Sequence, residues 1–555
     1  MSVDMFSQDE LLNNGAKYIS YYGYDIAGNK VSGNTDVNDY FNSFDKNNNY
    51  KRFVGAYQPT YFAGYLMDKF AINNLVFNVG VRLDVFDANQ PVLKDPYLLY
   101  QAYTVKEVKK MVQDNPQTYS WVSIPNSVND DYIVYVNDVE NPSQINGFRS
   151  GSQWYNSIGN PTDKSSEIRG PGGIAPWLLD SSSINKTNSI KSDAFESYKP
   201  QVNLMPRLAF SFPIAEKAAF TAHYDILTIR PNNGITRFDP TDYQFLANAA
   251  TPTINNTGLK PKQTIDYEVG FQQELSENSS IKISGFYREQ RNDIQLVRII
   301  DAYPNSYSTY GNIDFGTVKG MTFSYDLRRV NNLRLTANYT LQFAEGTGAS
   351  PSISQNVTSI GYNFRYIFPY SYDIRHQLNI VADYRYEVEP GRKYSGPMIG
   401  NFELFNNTGL NLTTNIYSGS PYTAQGGPAT TQYVGVTGTV NGSRLPWTYR
   451  LDIVLDRNFE KVFKRTDGEI TKEKKLYFNV YVRATNLFNQ LNLLGVYPGT
   501  GSWKDDGFLA NLQNQNAIQN QINVQSYIDY YTLAIQNPGN LSAPRTVRLG
   551  VRVDF

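Results

Sequence analysis

The last eleven residues of the chain alternate apolar and polar side chains without interruption and end on an aromatic residue. They read Arg-Thr-Val-Arg-Leu-Gly-Val-Arg-Val-Asp-Phe, from Arg545 to Phe555. Because successive side chains of a β-strand point to opposite faces, this segment predicts a strand with one apolar and one polar face. About ten residues is also the length of a tilted strand that crosses a bilayer within a closed barrel. The edge of a soluble sheet can show the same alternation.

The same pattern recurs upstream in segments of similar length. It is clearest in residues 77–85 and 333–343, and it returns in residues 265–272 and 476–483. A soluble sheet buries its apolar face and needs few buried arginines, whereas these segments repeatedly place charged or amide side chains opposite an apolar face. The repetition predicts an all-β fold, an antiparallel transmembrane β-barrel wall.

The composition agrees with such a wall and excludes several other classes of protein. The 555 residues carry a net charge of −1, which gives no sign of a nucleic-acid partner, and the absence of cysteine excludes disulfides and thiolate metal sites. The 43 tyrosines suit the two interfacial girdles of a membrane barrel, although the strands and binding loops of a secreted protein are also rich in tyrosine. No apolar run reaches the roughly twenty residues of a spanning helix.

The connections between these segments alternate between short and long, as in membrane barrels with tight periplasmic turns and extended outer loops. Short ones are expected at residues 213–217, 276–280 and 328–332, and long ones at residues 87–200, 230–262, 344–372 and 490–544. Within the long ones, Thr104 and Glu107 form a capping box that predicts a helix through Met111. Residues 132–136 predict a small strand, and residues 507–536 predict helix ending at the Asn-Pro-Gly of residues 537–539.

If the long connections lie outside, the direction of every strand is fixed. We count about thirteen strands, the first near Tyr61 to Phe70 and the last ending at Phe555, and both run toward the periplasm. Barrels of even strand number have both ends in the periplasm, so this chain is expected to begin inside an extracellular loop and to lack its upstream part. The residues after Met1 form no secretory signal, which also leads us to expect a truncated chain. Residues 1–56 are then the rest of that loop, and residues 57–555 are the C-terminal barrel portion with a large loop insert at 87–200. A parallel seam closing an odd number of strands is the alternative.

Several short sequence segments resemble the TonB-dependent receptor family, in particular receptors with a carboxypeptidase-regulatory-like extension. These segments are residues 61–69, 75–84, 260–271, 372–378, 418–422, 450–452, 486–489 and 544–555. The resemblance implies a barrel of twenty-two strands around an N-terminal plug, preceded by a TonB-binding segment. About nine of those strands, the plug and the TonB-binding segment have no counterpart in this chain. It further implies an outer-membrane receptor that takes up a scarce nutrient, such as a siderophore, an oligosaccharide or a peptide.

The same resemblance implies the location and the partners. The location is the outer membrane of a Gram-negative bacterium, and the partners are outer-membrane lipid, the barrel insertion machinery reading Phe555, the TonB system acting through the missing plug, and in some relatives a surface lipoprotein. A passive porin-like channel and a secreted soluble glycan-binding β-protein are the two alternatives.

Aromatic side chains in the outer loops are the candidate ligand-binding residues, because such rings combine contact area with a polar group. They are Trp121, Trp154, Tyr155, Trp177, Tyr303, Tyr307, Tyr310 and Trp503. The alternative is that these rings pack the loops against one another. Arginines on the polar faces are expected to form ion-pair ladders across strands, or else to contact a plug or an anionic substrate. They are Arg82, Arg207, Arg288, Arg334, Arg385 and Arg483.

Catalytic chemistry has little support, and no enzyme activity, cofactor or metal is expected. The chain contains two histidines, His223 and His376, each predicted on or beside a strand, and no hydrolase or phosphate-loop motif. Residues 45–49 have calcium-like spacing, but Tyr50 stands where a calcium loop needs glycine. We interpret this segment as a solvated loop.

Overall fold

A single large antiparallel sheet dominates the fold. The computed structural model describes residues 5–181, 190–247, 252–348, 366–386, 394, 396–428, 435–467 and 470–554. Within these ranges, thirteen long strands pair in sequence order. They are β1 Thr60–Ile72, β2 Leu75–Asp87, β3 Gln201–Ala215, β4 Ala218–Ile229, β5 Lys262–Ser276, β6 Ser279–Ile299, β7 Tyr307–Val330, β8 Leu333–Gly346, β9 His376–Tyr386, β10 Thr408–Tyr417, β11 Thr448–Asp467, β12 Ile470–Thr485 and β13 Thr546–Asp554. The expected count and the antiparallel all-β architecture are confirmed.

Two-residue turns connect most strands at one end of the sheet, which we call the turn end. The hairpins β1–β2 and β7–β8 turn on Asn73-Asn74 and Asn331-Asn332, and all four asparagines have positive φ. Two consecutive positive-φ residues match the twist of paired strands, and asparagine tolerates this conformation better than most residues. The three expected short connections are confirmed. Residues 387–407, between β9 and β10, are the longer exception at this end.

The pairing register gives the sheet one apolar and one polar face. Met321, Leu341 and their cross-strand neighbours share the apolar face, while Asn338, Thr340 and Gln342 lie on the other. Apolar side chains remain exposed along that face, for example Val269 at 53% and Leu455 at 47%. Among the described residues, no second layer packs against the apolar face, as one would in a soluble protein.

The two edge strands differ from the inner strands. Among the described residues, each of β1 and β13 pairs on one side only, and Leu66 and Leu549 are each 75% exposed. Since thirteen strands alternate in direction, β1 and β13 run the same way. A direct pairing of β1 with β13 would have to be parallel.

The long connections carry their own secondary structure at the opposite, loop end. The helices are α1 Gln8–Leu12, α2 Val37–Asn42, α3 Val105–Asp114, α4 Asn233–Thr236, α5 Pro240–Gln244, α6 Gln515–Gln519 and α7 Val524–Ile535. Short 3-10 turns lie at Asn13–Gly15, Ser165–Glu167, Ser192–Ala194, Leu512–Asn514 and Pro538–Asn540. Short strands lie there at Pro91–Leu93, Ile133–Val136, Ile145–Ser150, Gln153–Asn156, Pro161–Thr162, Phe195–Ser197, Thr253–Ile254, Phe368–Pro369, Pro421–Tyr422 and Ser443–Arg444. Two more, Met398–Ile399 and Phe402–Glu403, lie in the turn-end connection between β9 and β10.

Three local predictions in these connections are confirmed. The Thr104 capping box opens α3, with Thr104 and Glu107 bonded in both directions. The expected small strand is Ile133–Val136, and the expected helical region of the last connection contains α6 and α7. None of the helices in the described ranges is long and apolar enough to cross a membrane.

Candidate functional site

Four segments of the chain fold together at the loop end into a structure we call the loop cap. It consists of the described residues of 5–56, 88–200, 230–261 and 300–307. Its main core joins Phe41 of α2, Phe195 of the large insert, Phe238 before α5 and Tyr307 at the start of β7. Residues 37–54 thus pack with the long connections. The boundary at residue 56 is untested by this packing and remains a prediction.

A half-buried charge cluster connects the N-terminal segment to the connection between β4 and β5. The Lys17 ammonium lies 2.8 Å from Asp239 and 3.5 Å from Asp242. Burial, and then the neighbouring Asp239 carboxylate, raise the pKa of Asp242 to about 7. The pKa of Asp239 is lowered, because Lys17 and hydrogen bonds from Lys17 and Thr241 outweigh its burial. One of these two carboxyls therefore takes up a proton near neutral pH.

Four of the predicted ligand-binding rings lie in the large insert and contact other rings. Trp154 packs edge-on against Tyr97 and Tyr135, at centroid distances of 5.6 and 5.0 Å. Trp121 lies 5.1 Å from Trp177, and Tyr155 lies 4.7 Å from Tyr132. Trp154 and Trp177 are only 6% and 5% exposed. These contacts agree with the alternative in which the rings pack the loops against one another.

The other four predicted rings lie elsewhere. Tyr307 is buried in the main cap core, and its hydroxyl donates to the Pro96 carbonyl oxygen at 2.7 Å. Burial raises the pKa of Tyr303 to about 12, and its ring lies 6.1 Å from that of Tyr100. Tyr310 is half-buried on β7, and Trp503 is half-buried in the connection between β12 and β13. The eight rings do not form one shared surface, and their role in ligand binding remains a prediction.

One cleft in the loop cap was not anticipated from the sequence. A cleft of about 550 Å³ lies between residues 34–37, the segment 87–94 that begins with the last residue of β2, and the segment 192–198 before β3. We call it the acid cleft, because Asp36, Asp87 and Glu196 line it and Lys94 is the single cationic residue among its lining residues. No sequence motif marks it, since its walls come from three distant stretches of the chain.

Ion pairs cross the polar face of the sheet, as the sequence predicted. Four charged residues face one another across β3 to β6 in the order Arg207, Asp225, Asp266 and Arg288. The Arg288 Nε atom lies 3.0 Å from Asp266. Arg385 of β9 lies 2.9 Å from Asp456 of β11 and reaches over Gly409 of the intervening β10. The ladder interpretation is confirmed for Arg288 and Arg385.

The connection between β8 and β9 is anchored on the polar face by a tyrosine. Tyr370 is fully buried, and its hydroxyl donates to Asp293 at 3.1 Å. A Cβ atom at Gly316 or Gly346 would lie within 2.2 Å of the Tyr370 hydroxyl oxygen. The two glycines therefore provide the space that this ring occupies at the loop end.

Both histidines lie where the sequence predicted them, on strands. The His223 Nε2 atom is 4.0 Å from Asp266, and the His376 Nδ1 atom is 2.8 Å from the Tyr339 hydroxyl. No group of three metal-binding side chains occurs among the residues that the structure describes. Asp45 accepts the backbone N–H groups of Asn47 and Asn49, which closes a solvated turn. Phe555, the predicted insertion signal, lies outside the described residues.

Neither a protein-family model nor a curated protein matches the sequence. Among solved structures, the chain is similar to the ferric-catecholate import receptor Fiu of E. coli K12, with 11% identity and a TM-score of 0.38. It is also similar to the FrpB iron transporter of Neisseria meningitidis, with 10% identity and a TM-score of 0.38. A third similar structure is the hemophore receptor HasR of Serratia marcescens, with 11% identity and a TM-score of 0.38.

These alignments cover 80%, 89% and 78% of this chain, in the same order. They cover 42%, 45% and 49% of the other chains, so this chain spans less than half the length of each structure it matches. At these identities and scores the likeness decides nothing about what this chain binds. The strand order and the two-faced sheet carry the proposal that follows.

Proposed function

We propose that the chain forms the larger part of an outer-membrane barrel that takes up a scarce nutrient. The observation that carries this proposal is the continuous antiparallel sheet with an exposed apolar face and an ion-paired polar face. In a bilayer the apolar face contacts lipid and the polar face lines the lumen. The loop cap then stands on the extracellular side, where a nutrient is captured.

We propose that further strands close the wall, instead of a parallel seam between β1 and β13. In hydrocarbon every unpaired backbone N–H or C=O group costs roughly several kcal/mol. The outer edges of β1 and β13 therefore need pairing partners in a membrane. Because β1 and β13 run the same way, antiparallel closure takes an odd number of additional strands. About nine, as in a barrel of twenty-two, meet this condition. We infer that these strands and a TonB-responsive plug belong to the same receptor, of the carboxypeptidase-regulatory-like type.

The remaining parts of the proposal concern partners and chemistry. The barrel is inserted by the assembly machinery that recognises terminal aromatic residues such as Phe555, it contacts outer-membrane lipid, and the TonB system drives uptake. A surface lipoprotein that covers the loop cap fits the same arrangement. The chain is proposed to have no catalytic activity of its own, with siderophores, oligosaccharides and peptides as the substrate classes.

Single cysteines test the membrane orientation cleanly, because the chain contains no native cysteine. Val269→Cys and Glu268→Cys place adjacent labels on opposite faces of β5. After reconstitution in vesicles, a fluorophore on residue 269 is expected to be quenched by nitroxide lipids, and one on residue 268 by aqueous iodide. Equal quenching of both positions, or recovery of the chain in a carbonate-washed soluble fraction, would exclude the barrel.

Energy dependence separates the proposed receptor from a passive porin. In cells that carry the intact receptor gene, nutrient uptake is expected to stop when TonB is deleted. Uptake that continues unchanged without TonB would support the porin alternative instead.

A further inference from the structure

We propose that the outer edge of β13 receives a β-strand that carries a carboxylate opposite Arg548. This inference deepens the proposed function, on which it rests, because it states the chemistry of the strand that pairs with this edge of the wall. Two observations carry it. One is an exception to the charge pairing of the polar face, and the other is a tyrosine that reaches the same edge.

The exception is a pair of arginines that face each other across β12 and β13. Elsewhere on the polar face the register places a carboxylate opposite an arginine, as with Asp266 and Arg288. Arg483 of β12 instead lies directly opposite Arg548 of β13. Like charges in direct opposition destabilise a strand pair, so an anion beside them would both relieve a repulsion and add an attraction.

A carboxylate on the same face as this arginine pair is already engaged. Asp452 is diagonal to Arg483, but both of its carboxylate oxygens are bonded to Arg450, at 2.8 Å each. The Asn486 N–H group also donates to it at 2.8 Å. Within the part of the chain that the structure describes, the Arg548 guanidinium makes no hydrogen bond or ion pair. Its charge is therefore available to a neighbour on the outer side of β13.

A tyrosine hydroxyl reaches the same edge. A Cβ atom added at Gly550 would lie 2.4 Å from the Tyr481 Cζ atom and 2.5 Å from its hydroxyl oxygen, so the tip of this ring lies over β13. In the described ranges this hydroxyl makes no hydrogen bond. Gly550 and Arg548 are two residues apart and share one face of the edge strand. A strand added here would meet a guanidinium and a hydroxyl that can both donate to one carboxylate.

The opposite edge of the sheet shows how such a pair of donors is satisfied. There Arg82 of β2 donates to Asp84 at 2.7 Å, and the Tyr61 hydroxyl of β1 donates to the same carboxylate at 2.6 Å. Arg82 also donates to the Tyr61 hydroxyl oxygen at 2.9 Å. The β13 edge has the arginine and the tyrosine of this arrangement without the acid. A carboxylate on the added strand would complete it with charge-assisted hydrogen bonds.

A strand fits this edge better than other occupants do. The described part of the sheet leaves the backbone groups on the outer side of β13 unpaired, and only a strand pairs these groups as well as the charge. A second copy of β13 would bring further arginines, and its Asp554 is already bonded to Arg552 at 3.1 Å. A free anion would satisfy Arg548 but would leave the backbone groups unpaired.

Synthetic strands of about ten residues test the proposal on the full chain in detergent micelles. Each alternates apolar and polar residues, carries one cysteine, and differs only at the residue opposite Arg548, which is Glu, Gln or Lys. Disulfide formation with Val551→Cys locates the strand at β13, since the chain has no native cysteine. By fluorescence anisotropy, the Glu strand is expected to bind about threefold to fivefold more tightly than the Gln strand, and the Lys strand most weakly.

Variants of the edge strand connect this preference to Arg548. Arg548→Gln should remove the preference for the Glu strand, and Arg548→Glu should reverse it in favour of the Lys strand. Arg552→Gln is the matched control, because Arg552 lies on the same face of β13 and is already paired with Asp554. This control should retain the preference of the parent chain.

Three results would overturn the proposal. The first is equal binding of the Glu and Gln strands, or an unchanged preference in Arg548→Gln. The second is failure of every strand to cross-link to residue 551. The third is displacement of the Glu strand by an equal concentration of glutamyl-glutamate, which would indicate a site for free anions. Each of them leaves the barrel untouched, since the quenching experiment on residues 268 and 269 decides that question independently.

Discussion

The ion pair that spans β10 allows a demanding test of how the polar face is built. Arg385 and Asp456 lie on strands that are not neighbours, and the pair forms over Gly409, which separates them. A Cβ atom at residue 409 would stand 2.5 Å from both the Arg385 Nη2 and the Asp456 Oδ1 atoms. Ordinary contact needs about 3.5 Å or more, so Gly409→Ala must displace the two charged groups by close to an ångström and break their 2.9 Å bond.

Two opposing effects set the magnitude. A hydrogen bond between charged groups contributes about 1.5–3 kcal/mol, and alanine is favoured over glycine in a strand by roughly 0.5–1 kcal/mol. Gly409→Ala should therefore lower the free energy of unfolding by about 1–2 kcal/mol. In a chain that already carries Arg385→Ala and Asp456→Ala there is no pair to break, and the same change should raise the free energy of unfolding by about 0.5–1 kcal/mol.

Urea unfolding of the chain in vesicles, followed by tryptophan fluorescence, measures both effects. Gly285→Ala is the control, because the nearest atom to its added Cβ lies at 4.0 Å, and it should be neutral or slightly stabilising. The sign of the Gly409→Ala effect must differ between the two backgrounds. If the variant is equally destabilising in both, the steric account of Gly409 is refuted.

Two further predictions concern the loop cap. Because burial and the neighbouring Asp239 raise the pKa of Asp242 in the fold from an ordinary 3.8 to about 7, this group stabilises the cap at low pH and loses that effect as the pH rises through about 7. The protection factors of the α2 amides, which correct for the pH dependence of intrinsic exchange, should thus be higher at about pH 5 than at about pH 8, and Asp242→Asn should reduce this difference. An unaltered difference would contradict the assignment. Arg149 is 2% exposed and donates to Asp95 and Tyr135 at 2.5 and 2.8 Å, so Arg149→Ala should destabilise the insert by about 3–5 kcal/mol and expose it to protease. Lys109→Ala removes an exposed pair with Asp130 and should cost less than about 1 kcal/mol. Equal protease sensitivity of the two variants would argue against a structural role for Arg149.

The wall could be predicted from the sequence because it depends on local rules. A two-residue period fixes the face of each side chain, and turns such as Asn73-Asn74 fix where one strand ends and the next begins. The helix α3 was predictable for a similar reason, since Thr104 and Glu107 are three residues apart and form its cap directly. These features need no knowledge of the rest of the chain.

The loop cap could not be predicted in the same way. The acid cleft joins Asp36, Asp87 and Glu196, and only the folded chain brings these three residues together. Rings such as Trp154 and Trp177 have the same chemistry whether they bind a ligand or fill a core, so their sequence context does not distinguish the two. The role of Gly409 was equally hidden, because it depends on side chains two strands apart.

The discontinuous core of the loop cap has a consequence for how the molecule is assembled. Phe41, Phe195, Phe238 and Tyr307 come from segments that the wall strands separate, and Tyr307 is itself the first residue of β7. Contacts between such distant segments form late, since the intervening chain must be ordered first. We therefore expect the cap to close only after the hairpins up to β7 have formed, so that its closure reports correct assembly of the wall. A defect in the pairing of β6 with β7 would therefore first appear far away, as release of the N-terminal segment.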